Sequence, residues 1–210
     1  MFKKTLLALS LALSATATLA APVVLNGSIR NIDGDRDGLV DDLKISRVEF
    51  DVTAGTTVFF DSMVWESTGV DLNGDGFLTG FDNYMVLFNG GSVLFAQDDS
   101  GITYGDGSVH GYDSAYGYTF ANAGTYMISL GQLSYSAADG LLGFDADRAF
   151  RDYQGNDDTF GAWRLTMTAS NGALSNVTAL DDGNQVPEPA SLALLGLGLA
   201  GLAASRRKTR

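Results

Sequence analysis

The sequence predicts an all-β body, a single antiparallel β-sandwich with inserted loops of the calcium-binding type. Short apolar runs with a two-residue period are separated by turns rich in Gly, Asn and Asp, as in strands and hairpins. Residues 21–180 show no helical apolar period. This length is enough for one domain with a full hydrophobic core.

The strands are predicted from alternation and from their bounding turns. Residues 43–52 form the first one, because apolar side chains alternate there with the acidic Glu49 and Asp51. Asn89-Gly90 predicts a tight hairpin. The other strands are predicted at residues 56–65, 84–88, 91–97, 116–120, 125–130 and 163–169. Residues 140–158 read as a long acidic loop.

The N-terminal 20 residues have the three parts of a secretory signal peptide. Lys3 and Lys4 precede an apolar run at residues 6–13, and small residues follow up to Ala21. Thr18 and Ala20 are the small residues expected before the cut. We therefore expect cleavage after Ala20 and export of the chain.

The exported part is strongly acidic. Residues 21–185 contain seven Lys and Arg against 24 Asp and Glu, a net charge of about −17, and nearly all the acids are Asp. This charge excludes nucleic acid as a partner, since binding it requires a basic face. The chain has no cysteine, so its stability must come from the core and from any bound cations.

The first acidic loop, residues 31–42, has the spacing of a calcium site. Asp33, Asp35 and Asp37 alternate and Gly38 follows them, which turns successive carboxylates toward one cation. Lys44 stands at the twelfth position of an EF-hand count and cannot ligate, so Asp41 or Asp42 is expected to close the site. The loop resembles the aspartate-rich calcium repeats of thrombospondin type 3. The alternative is a solvated acidic turn.

The second acidic loop, residues 71–82, reads DLNGDGFLTGFD and matches a twelve-residue calcium loop more fully. Gly76 stands at the bend. The expected ligands are Asp71, Asn73, Asp75, the carbonyl of Phe77, Thr79 and Asp82. The loop resembles those of dockerins, which also end in Asp, but a strand-like segment follows it here instead of a helix. The alternative is a glycine-rich surface turn.

The C-terminal tail, residues 186–210, follows a polar linker at residues 181–185 and has three parts. Pro187-Glu188-Pro189 is rigid, residues 192–204 are apolar or small, and residues 205–210 are basic. This order predicts a transmembrane helix with its basic end in the cytoplasm. The apolar part reaches only about 20 Å, short of the ~30 Å hydrocarbon core. An ordinary anchor is the alternative.

The tail resembles the PEP-CTERM sorting signal of Gram-negative bacteria. The resemblance implies recognition at Pro187, Glu188 and Pro189 by an exosortase, a membrane protease-transpeptidase, after transient contact with the inner membrane. It also implies a final location at the cell surface or outside the cell.

A second resemblance concerns the body. Residues 50–62, 81–101, 112–114 and 122–130 follow the order of motifs in bacterial pre-peptidase C-terminal-like domains. They are similar above all to the exported family named for a Phe-Asp-Pro motif, although Asn83 replaces that proline. The resemblance implies a jelly-roll-like β-sandwich.

The sequence predicts no active site. His110 is the single histidine, and Ser108 precedes it without a nucleophile-elbow motif. Two function classes remain open: a calcium-stiffened protein of the surface or an exopolysaccharide-containing matrix, and a carbohydrate- or protein-binding module. Exposure of an aromatic cluster would favour binding, and its burial the structural role. Its members would be Trp65, Tyr112, Tyr116 and Tyr118.

Overall fold

The computed structural model describes residues 21–67, 70–100, 110–156 and 159–180. The predicted signal peptide, the linker and the sorting tail with its transmembrane helix lie outside these residues. Within the described part of the chain, no helix is both long and apolar enough to cross a membrane.

The body is built from two antiparallel sheets. The first sheet contains β1 (Val23–Ile32), β2 (Asp42–Lys44), β4 (Thr57–Met63), β7 (Ala115–Thr119), β9 (Phe144–Asp145) and β10 (Phe160–Ser170). The second contains β3 (Ser46–Val52), β5 (Asn83–Asn89), β6 (Ser92–Gln97), β8 (Gly124–Gln132) and β11 (Leu174–Ala179). Their strand orders are β7-β4-β10-β1-β2-β9 and β11-β3-β8-β5-β6. The prediction of an all-β sandwich is confirmed.

The two sheets pack face to face on one hydrophobic core. Val48, Phe50 and Val52 on β3 point inward as the alternation predicts, and Glu49 between them is exposed. From the first sheet, Trp163 and Phe60 enter the same core. Each fully buried side chain of this size contributes about 2–3 kcal/mol to folding. The Trp163 indole N–H donates to Ser46 Oγ at 3.1 Å, so the buried donor is satisfied.

A smaller cluster covers the outer face of the second sheet. Ile45, Val86, Phe88 and Tyr135 form it, and the short helix α1 (Ala137–Leu142) packs beside it through Leu141. Ser136 caps α1 by accepting from the Asp139 N–H, and left-handed Gly143 ends it. The second half of this helix and β9 lie within the predicted acidic loop at residues 140–158, and the helix was missed because six residues are too few to show a helical period.

Besides β9, the strands β1 and β11 were not predicted from the sequence, and one turn was misplaced. β1 lies in the middle of the first sheet, but its buried Leu25 and Ile29 are four residues apart and so give no two-residue alternation. β11 is an edge strand with one neighbour, β3, and packs Leu174, Val177 and Ala179 against the core, but a register shift between Ser175 and Thr178 breaks their two-residue period. The β5–β6 hairpin turns at Gly90-Gly91, one residue later than predicted, since Asn89 pairs with Ser92.

Glu66 fixes both ends of the second acidic loop. This side chain is fully buried, and its Oε1 accepts the Leu72 N–H at 2.6 Å. Its Oε2 accepts both the N–H and the hydroxyl of Thr79, each at 2.8 Å. Gln154 adds a clamp, because its Nε2 donates to the carbonyl oxygens of Glu66 and Thr79. The loop is thus tied to the sandwich at its second and ninth positions.

We expect Glu66→Gln to lower the free energy of unfolding by about 1–3 kcal/mol, because the new amide donor faces buried donors. Urea unfolding in the presence of a chelator measures the change. Glu49→Gln is the matched control, since Glu49 is exposed on β3 and its replacement should stay within about 0.5 kcal/mol. Equal effects of the two substitutions would show that Glu66 does not anchor the loop.

Candidate functional site

The first acidic loop brings three carboxylates together at the surface. Among the described residues, Asp33, Asp35 and Asp37 place one oxygen each within 4.8 Å of the others. The loop backbone is held by its own side chains: Asp35 Oδ1 accepts the Asp37 N–H at 3.0 Å, and Asp37 Oδ1 accepts the Leu39 N–H at 2.8 Å. Oxygens gathered in this way form the kind of ligand set that Ca²⁺ takes.

Asp42 supports this loop from beneath. It is 1% exposed, and its two oxygens accept the N–H groups of Gly34, Asp35 and Asp147 at 2.7–3.1 Å. These backbone hydrogen bonds, first of all that of Asp35, lower the pKa of Asp42. Asp41 and Asp42 were the two residues expected to close the site. Both oxygens of Asp42 accept backbone N–H groups, so Asp42 supports the loop and does not face a cation with the other carboxylates.

Asp41 remains at the edge of the same loop. Partial burial raises the pKa of its carboxyl, and the negative charges of Asp37, Asp147 and Asp42 raise it further. Of the three clustered carboxylates only that of Asp37 acts on Asp41, and Asp41 does not belong to the group within 4.8 Å. A cation bound there would remove this repulsion.

The second acidic loop adopts a turn in which its side chains hold its own backbone. Asp71 accepts the Gly74 N–H at 2.6 Å and the Gly76 N–H at 2.9 Å, and these bonds lower its pKa. Asn73 and Asp75 are linked to each other at 2.8 Å, and Asp75 Oδ1 accepts the Phe77 N–H at the same distance. Gly76 has φ +87°, as the bend at position six requires.

Thr79 and Asp82 do not join the tip of this loop. The Thr79 hydroxyl is fully buried, donates to Glu66 and accepts the Ala162 N–H at 3.0 Å. Asp71, Asp75 and Asp82 form no close trio of carboxylates in the described part of the chain. The loop tip therefore presents Asp71, Asn73 and Asp75, and a cation there would need further oxygens from Phe77 or from water.

Asp82 lies instead near Asp98 and Asp99. Burial, together with the charges of these two neighbours, raises the pKa of Asp82 to about 6. Its Oδ1 is buried and has no hydrogen-bond partner among the residues that the structure describes. The twelve-residue pattern predicted Asp82 as a ligand. In the structure it is partly buried beside Asp98 and Asp99 instead.

His110 belongs to a cluster of half-buried aromatic rings. Its imidazole stacks on Trp65 with ring centroids 3.9 Å apart, and Tyr112 contacts both rings. The His110 Nδ1 accepts the Tyr112 N–H at 3.2 Å. Tyr153 extends the cluster beside Tyr112. Ser108 lies outside the described residues.

The four aromatic residues singled out in the sequence divide into two pairs. Trp65 and Tyr112 are half-buried in the His110 cluster, where part of each ring meets solvent. Tyr116 is 6% exposed and belongs to the main core, and Tyr118 packs against that core. Tyr116 is therefore excluded from a binding surface, and Tyr118 is exposed only in part and lies apart from the His110 cluster.

Glu66 and Asp42 are the residues whose role the sequence did not reveal. Both are buried carboxylates that accept backbone N–H groups of the acidic loops. The available signal was weak: Glu66 is one of two Glu residues in the body and stands a few residues before a loop. Its partner Thr79 is 13 residues away, so local patterns do not reveal the contact.

We expect Asp82→Asn to stabilise the metal-free protein at pH 7.5 but not at pH 4. Because the folded-state pKa of about 6 exceeds the ordinary value of 3.8, the wild-type protein loses stability as the pH rises through this window. The gain at pH 7.5 should be on the order of 1 kcal/mol, since solvent screens much of the effect. Thermal melting in a chelator measures it. An unchanged or lower midpoint at pH 7.5 would contradict the assignment.

Comparison with known proteins identifies the tail. Residues 185–208 match the PEP-CTERM protein-sorting motif. No curated protein matches the chain. The motif covers the Pro187-Glu188-Pro189 segment and most of the apolar and basic parts, and motifs of this kind are recognised by an exosortase. The chain therefore carries a PEP-CTERM sorting motif, which indicates export through the inner membrane and processing by an exosortase for the cell surface.

Proposed function

We propose that this protein is a non-catalytic component of the cell surface or of an extracellular, exopolysaccharide-containing matrix, stabilised by calcium. The observation that carries the proposal is the combination of the sorting motif with a single β-sandwich whose acidic side chains gather on exposed loops. A signal peptide cleaved after Ala20 is part of the same proposal.

Two features support a role without catalysis. The His110 Nδ1 accepts a backbone N–H, and its ring is stacked on Trp65, so this side chain is committed to local structure. Both oxygens of Glu66 are occupied by donors of the second acidic loop. The hydroxyl beside Glu66 is that of Thr79, which is fully buried and so has no access to a substrate.

Calcium binding rests on the geometry of the two loops. In the first, three exposed carboxylates within 4.8 Å repel one another unless a cation neutralises them. In the second, the bond from the Gly76 N–H to Asp71 already closes the turn around the side chains of Asn73 and Asp75. We propose calcium at the first loop, closed by Asp41, and a second, weaker site at the Asp71 loop.

We expect excess calcium to raise the melting temperature of the purified mature protein relative to chelator. A ligand that binds only the folded state adds RT ln(1 + [L]/Kd), about 2.7 kcal/mol at a hundredfold excess over Kd. Kd values of about 10⁻⁴–10⁻³ M are typical of extracellular modules. Asp35→Ala should remove the larger share of the calcium effect and Asp75→Ala the remainder.

Asp51→Ala is the control for this experiment. Asp51 is a strand residue that accepts from Thr125 and Asn176, so its loss should lower the midpoint equally with calcium and with chelator. If calcium leaves the midpoint of the wild-type protein unchanged, the two acidic loops are solvated turns.

We expect the mature protein to begin at or near Ala21 and to lack residues 192–210. Mass spectrometry of protein recovered from a host with an exosortase identifies both ends. Replacing Pro187, Glu188 and Pro189 together by alanine should leave the C-terminal peptide attached. The same replacement at Asp182, Gly183 and Asn184 is the control and should leave processing intact. Recovery of the intact tail from wild-type cells would contradict the proposal.

A second function, a carbohydrate-binding module, is favoured by the aromatic cluster around Trp65. Its four rings meet one another with centroids 3.9–5.8 Å apart and remain partly exposed. Aromatic faces of this kind combine an apolar surface with polar edges, which suits sugar rings. The members are Trp65, His110, Tyr112 and Tyr153.

A further inference from the structure

The strand directions give the sandwich two different ends. In the first sheet, β1 and β4 finish and β10 begins at the same end. In the second sheet, β3 and β5 begin and β8 and β11 finish at that end, to which β2 leads through Ile45. Both acidic loops and α1 therefore lie at this end, and the chain leaves β11 there toward the sorting tail. We call it the tail-proximal end; the β5–β6 hairpin turns at the opposite end.

Exposed apolar side chains are concentrated at the tail-proximal end. Five of the six large apolar side chains that are exposed in the described part of the chain lie there. A single exposed apolar residue is common on protein surfaces and needs no explanation, whereas a concentration of them marks a surface that contacts a partner or a membrane. The five are Leu39, Val40, Phe77, Leu142 and Leu180, and the sixth is Val93 on β6.

Three of these side chains stand at the turns of the acidic loops. Leu39 and Val40 are 57% and 67% exposed and follow Gly38, which has φ +94°. Phe77 is 56% exposed and follows Gly76, which has φ +87°. None of the three belongs to either hydrophobic cluster. The turns therefore present them to solvent, and the packing of the sandwich does not account for them.

The other two exposed side chains are brought together by Arg47. The Leu180 N–H donates to the Arg47 carbonyl oxygen at 2.9 Å. The Arg47 guanidinium donates to the carbonyl oxygen of Leu141 at 2.6 Å, one residue before Leu142. The end of α1 is thus fixed beside the point where the described part of the chain runs out toward the tail. Leu142 is 59% exposed and Leu180 is 44% exposed.

The length of the connection to the tail places this end near a membrane. Leu192 begins the apolar part of the tail and stands twelve residues after Leu180. A chain of this length spans about 40 Å at most, and Pro187 and Pro189 restrict its conformations. The sequence predicts that the apolar part enters the inner membrane, within the sorting motif at residues 185–208. The end that carries the apolar tips is therefore the end that is attached to the bilayer before processing.

We propose that the tail-proximal end docks on the bilayer that holds the tail, with Leu39, Val40 and Phe77 in the interfacial layer. Apolar side chains that reach the boundary between headgroups and acyl chains stabilise binding in proportion to the area they bury. The carboxylates of the same loops remain hydrated among the headgroups. On an anionic bilayer their charge opposes docking, and the calcium proposed above offsets this repulsion.

The inference rests on the predicted transmembrane tail and on the exosortase processing proposed above, and it gives the folded domain a part in that step. Docking holds Pro187-Glu188-Pro189 at the membrane surface, where a membrane protease can reach it. The tail keeps the apolar tips at a high effective concentration near the bilayer. Removal of the tail therefore releases the domain from the membrane.

The test uses the absence of cysteine from the chain, which allows one environment-sensitive label in each protein. Residues 21–210 are inserted through the tail into phosphatidylcholine vesicles in a chelator, so that neither lipid charge nor calcium contributes. Val40→Cys, Phe77→Cys and Leu142→Cys each carry a nitrobenzoxadiazole label. We expect the emission to shift to shorter wavelength and to rise about twofold or more relative to protein without residues 186–210. Lipids brominated in their acyl chains should quench these labels.

Val93→Cys is the matched control. Val93 is 47% exposed and lies on β6 next to the hairpin at the opposite end, so its label should stay in water. Leu39→Ser combined with Val40→Ser should reduce the change at the Phe77 label by about half or more, because the tips insert together. The melting temperature of this variant should not change, since neither residue packs in the core.

Flotation of the vesicles shows first whether the tail is inserted. A chain that floats while all three labels stay in water would overturn the docking surface and leave the sorting tail intact. An equal change at Val93 would show adsorption of the whole domain and not docking of one end. A change that grows with the number of protein molecules per vesicle would assign the tips to contact between two copies. A chain that does not float would reject the transmembrane tail and the inference with it.

Discussion

Buried carboxylates that accept backbone N–H groups hold the loops of this protein on its sandwich. Irregular loops cannot pair their own donors as strands do, and a buried unpaired N–H costs about 1–3 kcal/mol. Buried Glu66 and Asp42 and half-buried Asp152 meet this need, with three N–H or hydroxyl donors on each carboxylate. The acidic composition of the chain is thus partly structural. The positions of both acidic loops depend on these contacts.

The parts of the fold that the sequence predicted are those with a local signal. Val48, Phe50 and Val52 alternate with polar neighbours because one face of β3 is buried, and the sorting tail is a literal motif. β1 gave no such signal, since Gly27 stands between its two buried apolar residues. β11 also shows no regular alternation, because the irregularity between Ser175 and Thr178 places the core-packed Leu174 and Val177 three residues apart. Sheet order and register follow from contacts across the chain, which no local pattern contains.

The candidate site divides in the same way. The spacing of Asp33, Asp35 and Asp37 predicted a group of carboxylates, and the structure brings these three together. The twelve-residue count was less successful beyond position seven of the second loop. Beyond that position the sandwich determines the path of the chain: the Thr79 hydroxyl is buried against Glu66, and Asp82 directly precedes β5. The positions in a twelve-residue calcium pattern predict metal ligands only as far as the loop's own residues determine its backbone path.

Because β11 is an edge strand, the last strand before the tail is held to its sheet by hydrogen bonds on one side only. Leu174 pairs with Val52 and Ala179 with Val48, and the Leu180 N–H adds a last bond to the Arg47 carbonyl at 2.9 Å. The sorting motif begins only a few residues later. Mechanical load applied through the tail therefore enters the sandwich at the end of a strand bonded on one side, where bonds open one after another. Detachment of β11 would expose the edge of β3 while the strands of the other sheet stayed paired. Tension would therefore expose unpaired backbone groups, which can pair with another chain, before the core unfolded.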